Sequence, residues 1–109
     1  MNQGFHSYHW LDKDENPEGG QTSGRGFAIS WQRGPLGRGE SRTEPNGAFV
    51  EDIIGAARDR LWFYQHGGGG KFACEANALA IQLLTTALDV LNERTKDRET
   101  RKVEGTHAP

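Results

Sequence analysis

The sequence predicts an α+β protein. A small N-terminal β part is followed by a long antiparallel two-helix hairpin, completed by assembly as a symmetric oligomer. Three observations lead there. Apolar residues alternate at period two in Phe27, Ile29 and Trp31. They recur at three- and four-residue steps in two later segments, the mark of amphipathic helices. Both helical stripes are wider than a lone hairpin covers, so a second copy is expected to bury the remainder.

The elements follow in order. Residues 1–26 are expected to form a flexible N-terminal arm. Asp12 to Gly26 is polar, Gly-rich and nearly free of apolar side chains. Such a segment reads as loop or disorder, because it buries too little surface to offset its ordering entropy. Residues 27–109 read as a single domain. Its first piece, 27–47, holds the strand and a Gly/Arg loop. Gly34-Pro35 stops the strand. Asn46, or Thr43 ahead of Pro45, is expected to cap the next element.

The first helix is predicted over 48–66. Phe49, Val50, Ile53, Ile54, Ala57, Leu61 and Tyr64 line its apolar face. His66 and the four glycines Gly67 to Gly70 break it. The second helix is predicted over 72–100, with Phe72, Ala76, Leu79, Ala80, Leu83, Leu84, Ala87, Leu88 and Leu91 as its stripe. At 1.5 Å per residue it runs roughly 40 Å. Two helices across so short a break form an antiparallel hairpin. Arg94 to Lys102 is a charged run.

Composition sets further bounds. A chain of 109 residues with 34% hydrophobic residues makes about one small domain. It buries about two thirds of its unfolded surface, again an argument for a second subunit. A net charge of -2 argues against a strongly basic nucleic-acid binder, so no DNA partner is expected. One Cys excludes an internal disulfide framework and a Cys-built zinc site. No apolar run approaches the ~20 residues of a membrane span. Met1 to Trp10 lacks the basic and apolar regions of a secretion signal. The expectation is a soluble, intracellular protein.

Catalytic and metal chemistry find no support. His6 and His9 have no further His or Cys nearby to complete a metal site. Cys74, at the start of an apolar helix, reads as a small buried thiol rather than a nucleophile. No Walker A, GxSxG or HExxH pattern is present, and the carboxylates are scattered. No enzyme, metal or cofactor is expected.

Arginine is the informative residue. Arg25, Arg33, Arg38 and Arg42 lie between Gly24 and Thr43, with Glu40 alone to offset them. Arg grips phosphate bidentately and stays charged. The surrounding glycines let backbone amides approach a ligand. Composition leaves two readings open, an anion cradle and a solvated loop. Trp62, Phe63 and Tyr64 sit at the hairpin apex, suited to stacking on a base or to packing on a partner. Asn77 interrupts a run of Ala and Leu. Its amide suits base-edge recognition, or equally a local hydrogen bond to the turn.

Those residues carry a resemblance. Phe72-Ala73-Cys74, Asn77-Ala78-Leu79-Ala80-Ile81, Ala87-Leu88, Leu91, Arg94-Thr95, Arg98, Arg101 and Val103-Glu104-Gly105-Thr106-His107 resemble the helical hairpin of phage Thoeris anti-defence sponge proteins. The same hairpin type is found in anti-CBASS sponges. Gly34-Pro35, Asn46-Gly47 and Arg60-Leu61 with Tyr64-Gln65 extend the likeness, which covers roughly Phe27 to His107. The chain departs from the pattern at Gly67 to Lys71, where a shorter Gly-Pro turn is expected, and at Glu75-Ala76, where Arg-Glu is expected.

The resemblance implies a protein that captures a cyclic ADP-ribose isomer, an immune alarm signal, and leaves it chemically intact. It implies a dimer or hexamer acting in the host cell cytoplasm during infection. Some relatives also hold cyclic di- or trinucleotides at separate sites. The implied ligand-binding residues are Tyr64, Asn77, Arg94 and, from the N-terminal loop, Arg38. Spacing adds a constraint. Asn77 and Arg94 are seventeen positions apart, or about 25 Å along one helix. That exceeds a cyclic nucleotide, so the site is expected to straddle a subunit interface, twice per two-fold dimer. Two other readings are a sponge for cyclic di- or trinucleotides and a helical protein-interaction module of a phage.

Overall fold

Aspartate starts the architecture where apolar patterning is silent. The structure, a computed structural model, describes residues 3–109. Strands β1 (His6–Leu11), β2 (Pro17–Gly24) and β3 (Phe27–Trp31) form one antiparallel sheet in that order. The stretch expected as a flexible arm, residues 1–26, thus contains β1 and β2. At the first turn the Asp12 carboxylate accepts from the backbone N–H of Asp14 at 2.8 Å and of Asn16 at 3.0 Å. This side-chain turn closes the β1–β2 hairpin without any apolar residue. The Asn16 N–H, before all else, holds the Asp12 carboxyl below its ordinary pKa.

Hydroxyls replace apolar packing across the sheet. Register places Ser7, Thr22 and Ile29 side by side on three strands. Ser7 Oγ and Thr22 Oγ1 share a hydrogen bond of 2.8 Å, and Trp31 Nε1 donates to Thr22 Oγ1 at 2.8 Å. Thr22 is 8% exposed. Gly20, at φ 145° opposite His9, lets the two strands approach. A Cβ there would collide with the Tyr8 carbonyl oxygen.

The loop after β3 folds back on the sheet. Gln32 N–H donates to Ala48 O at 2.9 Å, and Ala48 N–H to Ser30 O at 2.7 Å. Asn46 caps no helix. Its Oδ1 accepts from Arg33 N–H at 2.8 Å, while its Nδ2 donates to Arg33 O at 3.1 Å. Thr43 is also spent within the loop, where its Oγ1 donates to Leu36 O. Neither expected cap is used, because both side chains fasten the loop to itself.

Cα proximity divides the chain into two compact units. One comprises the chain to Phe49 with Glu99–Pro109, and the other comprises Val50–Arg98. In the first, the C-terminal tail clasps the Gly/Arg loop. Gly37 N–H donates to Gly105 O at 2.7 Å. Arg42 forks onto the Glu104 carboxylate at 2.7 and 3.1 Å. Gly105, at φ 78°, sits so close that a Cβ would strike the Gly37 carbonyl oxygen.

The second unit carries α1 (Val50–His66), a 3-10 turn (Gly67–Gly70) and α2, whose full span is Glu75–Thr100. The glycine break is where the sequence places it. Helix α2 starts three residues later than expected. Cys74 is its cap, for its Sγ accepts from Asn77 N–H at 3.4 Å and its carbonyl from Ala78 N–H at 3.1 Å. Cys74 is exposed rather than buried. The contacts Gln65–Cys74 and Arg58–Thr85 pair residues at growing separation about the turn, as antiparallel helices do.

The hairpin is open. No Cα of α1 comes within 8 Å of a Cα of α2. Packed helices lie ~8–10 Å apart at their axes with a Cα radius of ~2.3 Å, which brings their Cα atoms closer than that. Among the described residues no hydrophobic side chain is buried. Leu79, Leu83 and Val90 lie on one face of α2 and are 56%, 60% and 62% exposed.

Candidate ligand-binding site

One clamp organises the hairpin apex. The Gln65 side chain, near the end of α1, donates through Nε2 to Cys74 O at 3.1 Å. Its Oε1 accepts from Cys74 N–H at 3.0 Å. Both bonds go to backbone, so the amide fixes where α2 begins relative to where α1 ends. Tyr64 precedes this clamp by one residue, and Asn77 follows it by three.

Tyr64 is 40% exposed. Arg60, one helical turn earlier, places its guanidinium carbon 4.9 Å from the Tyr64 ring centroid and 5.0 Å from that of Phe63. Its Nε donates to the Tyr64 hydroxyl at 3.3 Å. The Phe63 and Tyr64 rings are tilted by 57° with centroids 5.8 Å apart. Trp62 instead meets the His66 ring at a tilt of 46°, with centroids 4.1 Å apart. The three consecutive aromatics therefore serve two clusters, as the 100° step of a helix requires.

Asn77 is half-buried in the first turn of α2. Its Nδ2 donates to Phe72 O at 3.2 Å, so the local hydrogen bond to the turn is made. Its Oδ1 has no partner among the described residues and remains an acceptor. Arg94 is exposed, about 25 Å farther along α2. The clamp thus gathers Tyr64 and Asn77 at one end, and Arg94 of the same chain does not join them.

Arg38 lies in the other unit, next to a 3-10 turn at Gly39–Ser41. Its Nη1 donates to Glu104 O at 3.0 Å. Arg42, its neighbour in the loop, is fully engaged by Glu104. That carboxylate raises the Arg42 pKa through hydrogen bonding and charge. Two arginines of the Gly/Arg loop are thus fastened to the C-terminal tail.

Each unit carries a cleft that Tyr64 does not line. In the helical unit, Arg58, Asp59, Trp62, Ile81 and Thr85 border about 380 Å³ between α1 and α2. In the sheet unit, Trp10, Gln21, Trp31, Arg33 and Asn46 border about 320 Å³. The Arg33 guanidinium carbon lies 5.9 Å from the Trp10 ring centroid. Among the described residues there is no cluster of three or more His, Cys, Asp or Glu able to hold a metal. No helix among them is long and apolar enough to cross a membrane.

Sequence reasoning missed the roles of Arg60 and Gln65. Arg60 precedes Phe63 by three positions and Tyr64 by four, spacings that place side chains together on a helix. Gln65 pairs across a glycine break, and no local pattern marks that.

Comparison with known proteins adds one relative. No protein-family model matches the chain. Over 85 residues the chain is 39% identical to a protein called Thoeris anti-defense 1 from Bacillus phage SBSphiJ7. The match takes in 78% of this chain and 55% of that protein. The chain spans about half the length of the relative it matches.

Proposed function

Because the chain belongs to the Thoeris anti-defence family of phage proteins, we propose that it counters Thoeris defence by holding, without cleaving, a cyclic ADP-ribose-type signalling nucleotide. The observation that carries this reading is the Gln65–Cys74 clamp, which sets an exposed aromatic ring and an open amide acceptor on either side of one turn. Tyr64 stacks on the adenine, and Asn77 Oδ1 accepts from a ribose hydroxyl or the base. Arg94 meets the pyrophosphate from a second copy, since 25 Å of helix separates it from Asn77 in its own chain. The exposed face of α2 supports such pairing. Arg38 is the fourth candidate, offered by the N-terminal loop.

Sequestration works by affinity alone. The protein must bind the messenger more tightly than the receptor does, and nanomolar binding is about 12 kcal/mol. Nothing in that scheme requires a nucleophile or a metal. Calorimetry with glycocyclic ADP-ribose, followed by heat release and mass analysis of the ligand, tests it. Stoichiometric binding with release of unaltered messenger is expected. Absence of binding, or release of a cleaved product, contradicts it.

A second reading has its own observation. The sheet cleft joins two indoles to Arg33, a combination suited to a base and a phosphate. It supports capture of cyclic di- or trinucleotides. Titration with those nucleotides separates the readings, because Arg94→Ala abolishes the first activity and spares the second. A helical interaction module is the outcome if no nucleotide raises the melting temperature.

A further inference from the structure

We infer that Arg60 is a phosphate contact supplied by the same chain as Tyr64, a role that rests on the Tyr64 reading above. Three observations carry it. Arg60 is exposed, and among the described residues no carboxylate pairs with it. Its guanidinium lies over two rings at once, at 4.9 and 5.0 Å, which fixes a flexible side chain without a counter-charge. Its Nε is held by the Tyr64 hydroxyl at 3.3 Å, while both Nη groups are without partners among the described residues.

The chemistry follows from that geometry. A guanidinium whose Nε is tied to a tyrosine hydroxyl keeps its two-nitrogen end for a bidentate acceptor. The acceptor stands beside the ring on which a base would stack. The matching ligand has a flat base and an anionic phosphate within a few ångströms of each other, as a nucleoside diphosphate has. The two faces of the site then carry different tasks. Arg60 grips one side of the pyrophosphate from the chain that stacks the base, and Arg94 approaches from the other copy.

Calorimetry on the full chain with glycocyclic ADP-ribose tests the assignment, using wild type, Arg60→Gln, Arg60→Lys and Tyr64→Phe. Arg60→Gln should weaken binding by about tenfold or more. Arg60→Lys should recover part of the loss, since it restores charge without the fork. Tyr64→Phe keeps the ring and removes only the hydroxyl, so it should bind more tightly than Arg60→Gln. Raising salt should weaken wild type more than Arg60→Gln. Circular dichroism should show equal helicity in all four proteins. Wild-type binding matched by Arg60→Gln overturns this inference alone. Equal losses in Tyr64→Phe and Arg60→Gln, with equal salt dependence, reduce Arg60 to a support for Tyr64 and also overturn it. A wild type that ignores the messenger overturns the underlying reading and this inference together.

Discussion

Single side chains set the turns and supply the proposed ligand contacts. Cys74 caps α2 through its thiol, a weak acceptor. Cys74→Ala should therefore lower thermal stability, and Cys74→Ser should restore it, by about 0.5–1 kcal/mol in a melting experiment. Asp12 links the first hairpin to pH. Its carboxyl is held below the ordinary value, so the folded state favours the charged form. The stability it lends is fully present above the unfolded pKa of about 3.9 and is lost as pH falls through the lower folded value. Acid titration of Asp12→Ala should show a shallower loss of stability below about pH 4 than wild type. At the site, Arg94→Ala should cost about 2–5 kcal/mol of binding if the pyrophosphate is desolvated there, read by calorimetry. Asn77→Ala removes an acceptor and also the Nδ2 bond to Phe72 O, so its effect on binding must be read beside its melting temperature. These contacts differ in how far they were legible. Tyr64, Asn77 and Arg94 stand out through a resemblance, whereas the role of Arg60 was missed although helical spacing sets it beside Phe63 and Tyr64. Gln65 was hidden because its partner is backbone, which carries no side-chain signature.

Secondary-structure elements show where periodicity speaks and where it does not. Helices α1 and α2 follow their three- and four-residue stripes, with Glu51, Asp52 and Glu75 in first turns where the helix dipole favours negative charge. Strand β3 follows its alternation. Strands β1 and β2 were illegible as a pair. Pro17 to Gly24 contains no apolar residue to alternate, and its cohesion comes from Thr22, from a glycine that permits close approach, and from an aspartate turn. Thr22→Val should test that account. It keeps the shape and strands the Trp31 indole N–H, at a cost of about 1–3 kcal/mol in denaturant titration. The C-terminal clasp is likewise invisible to pattern, because Arg42 and Glu104 meet across 62 positions. Gly105→Ala should loosen it, since the new methyl would strike the Gly37 carbonyl oxygen at a positive φ. Faster amide exchange at Gly37 is the expected sign.

At the scale of the whole molecule, one fact dominates. A chain of 109 residues leaves no hydrophobic side chain buried among those described, and it exposes one apolar face of α2. That exposed face is what the proposed pairing of copies would cover. Under the proposed reading, in which Asn77 and Arg94 hold one ligand, the occupant of that face is a second copy. Leu83→Lys should then lower the mass seen by light scattering while far-ultraviolet helicity stays high. Messenger binding should fall with the loss of the partner's Arg94. The proposed function is the storage of an intact nucleotide. Recovery of the ligand measures it most directly. Glycocyclic ADP-ribose is bound to saturation, freed by heating and weighed by mass spectrometry. One messenger returned unchanged for each site filled is the expected result, and a chain that retains no messenger, or returns it opened, contradicts nucleotide storage.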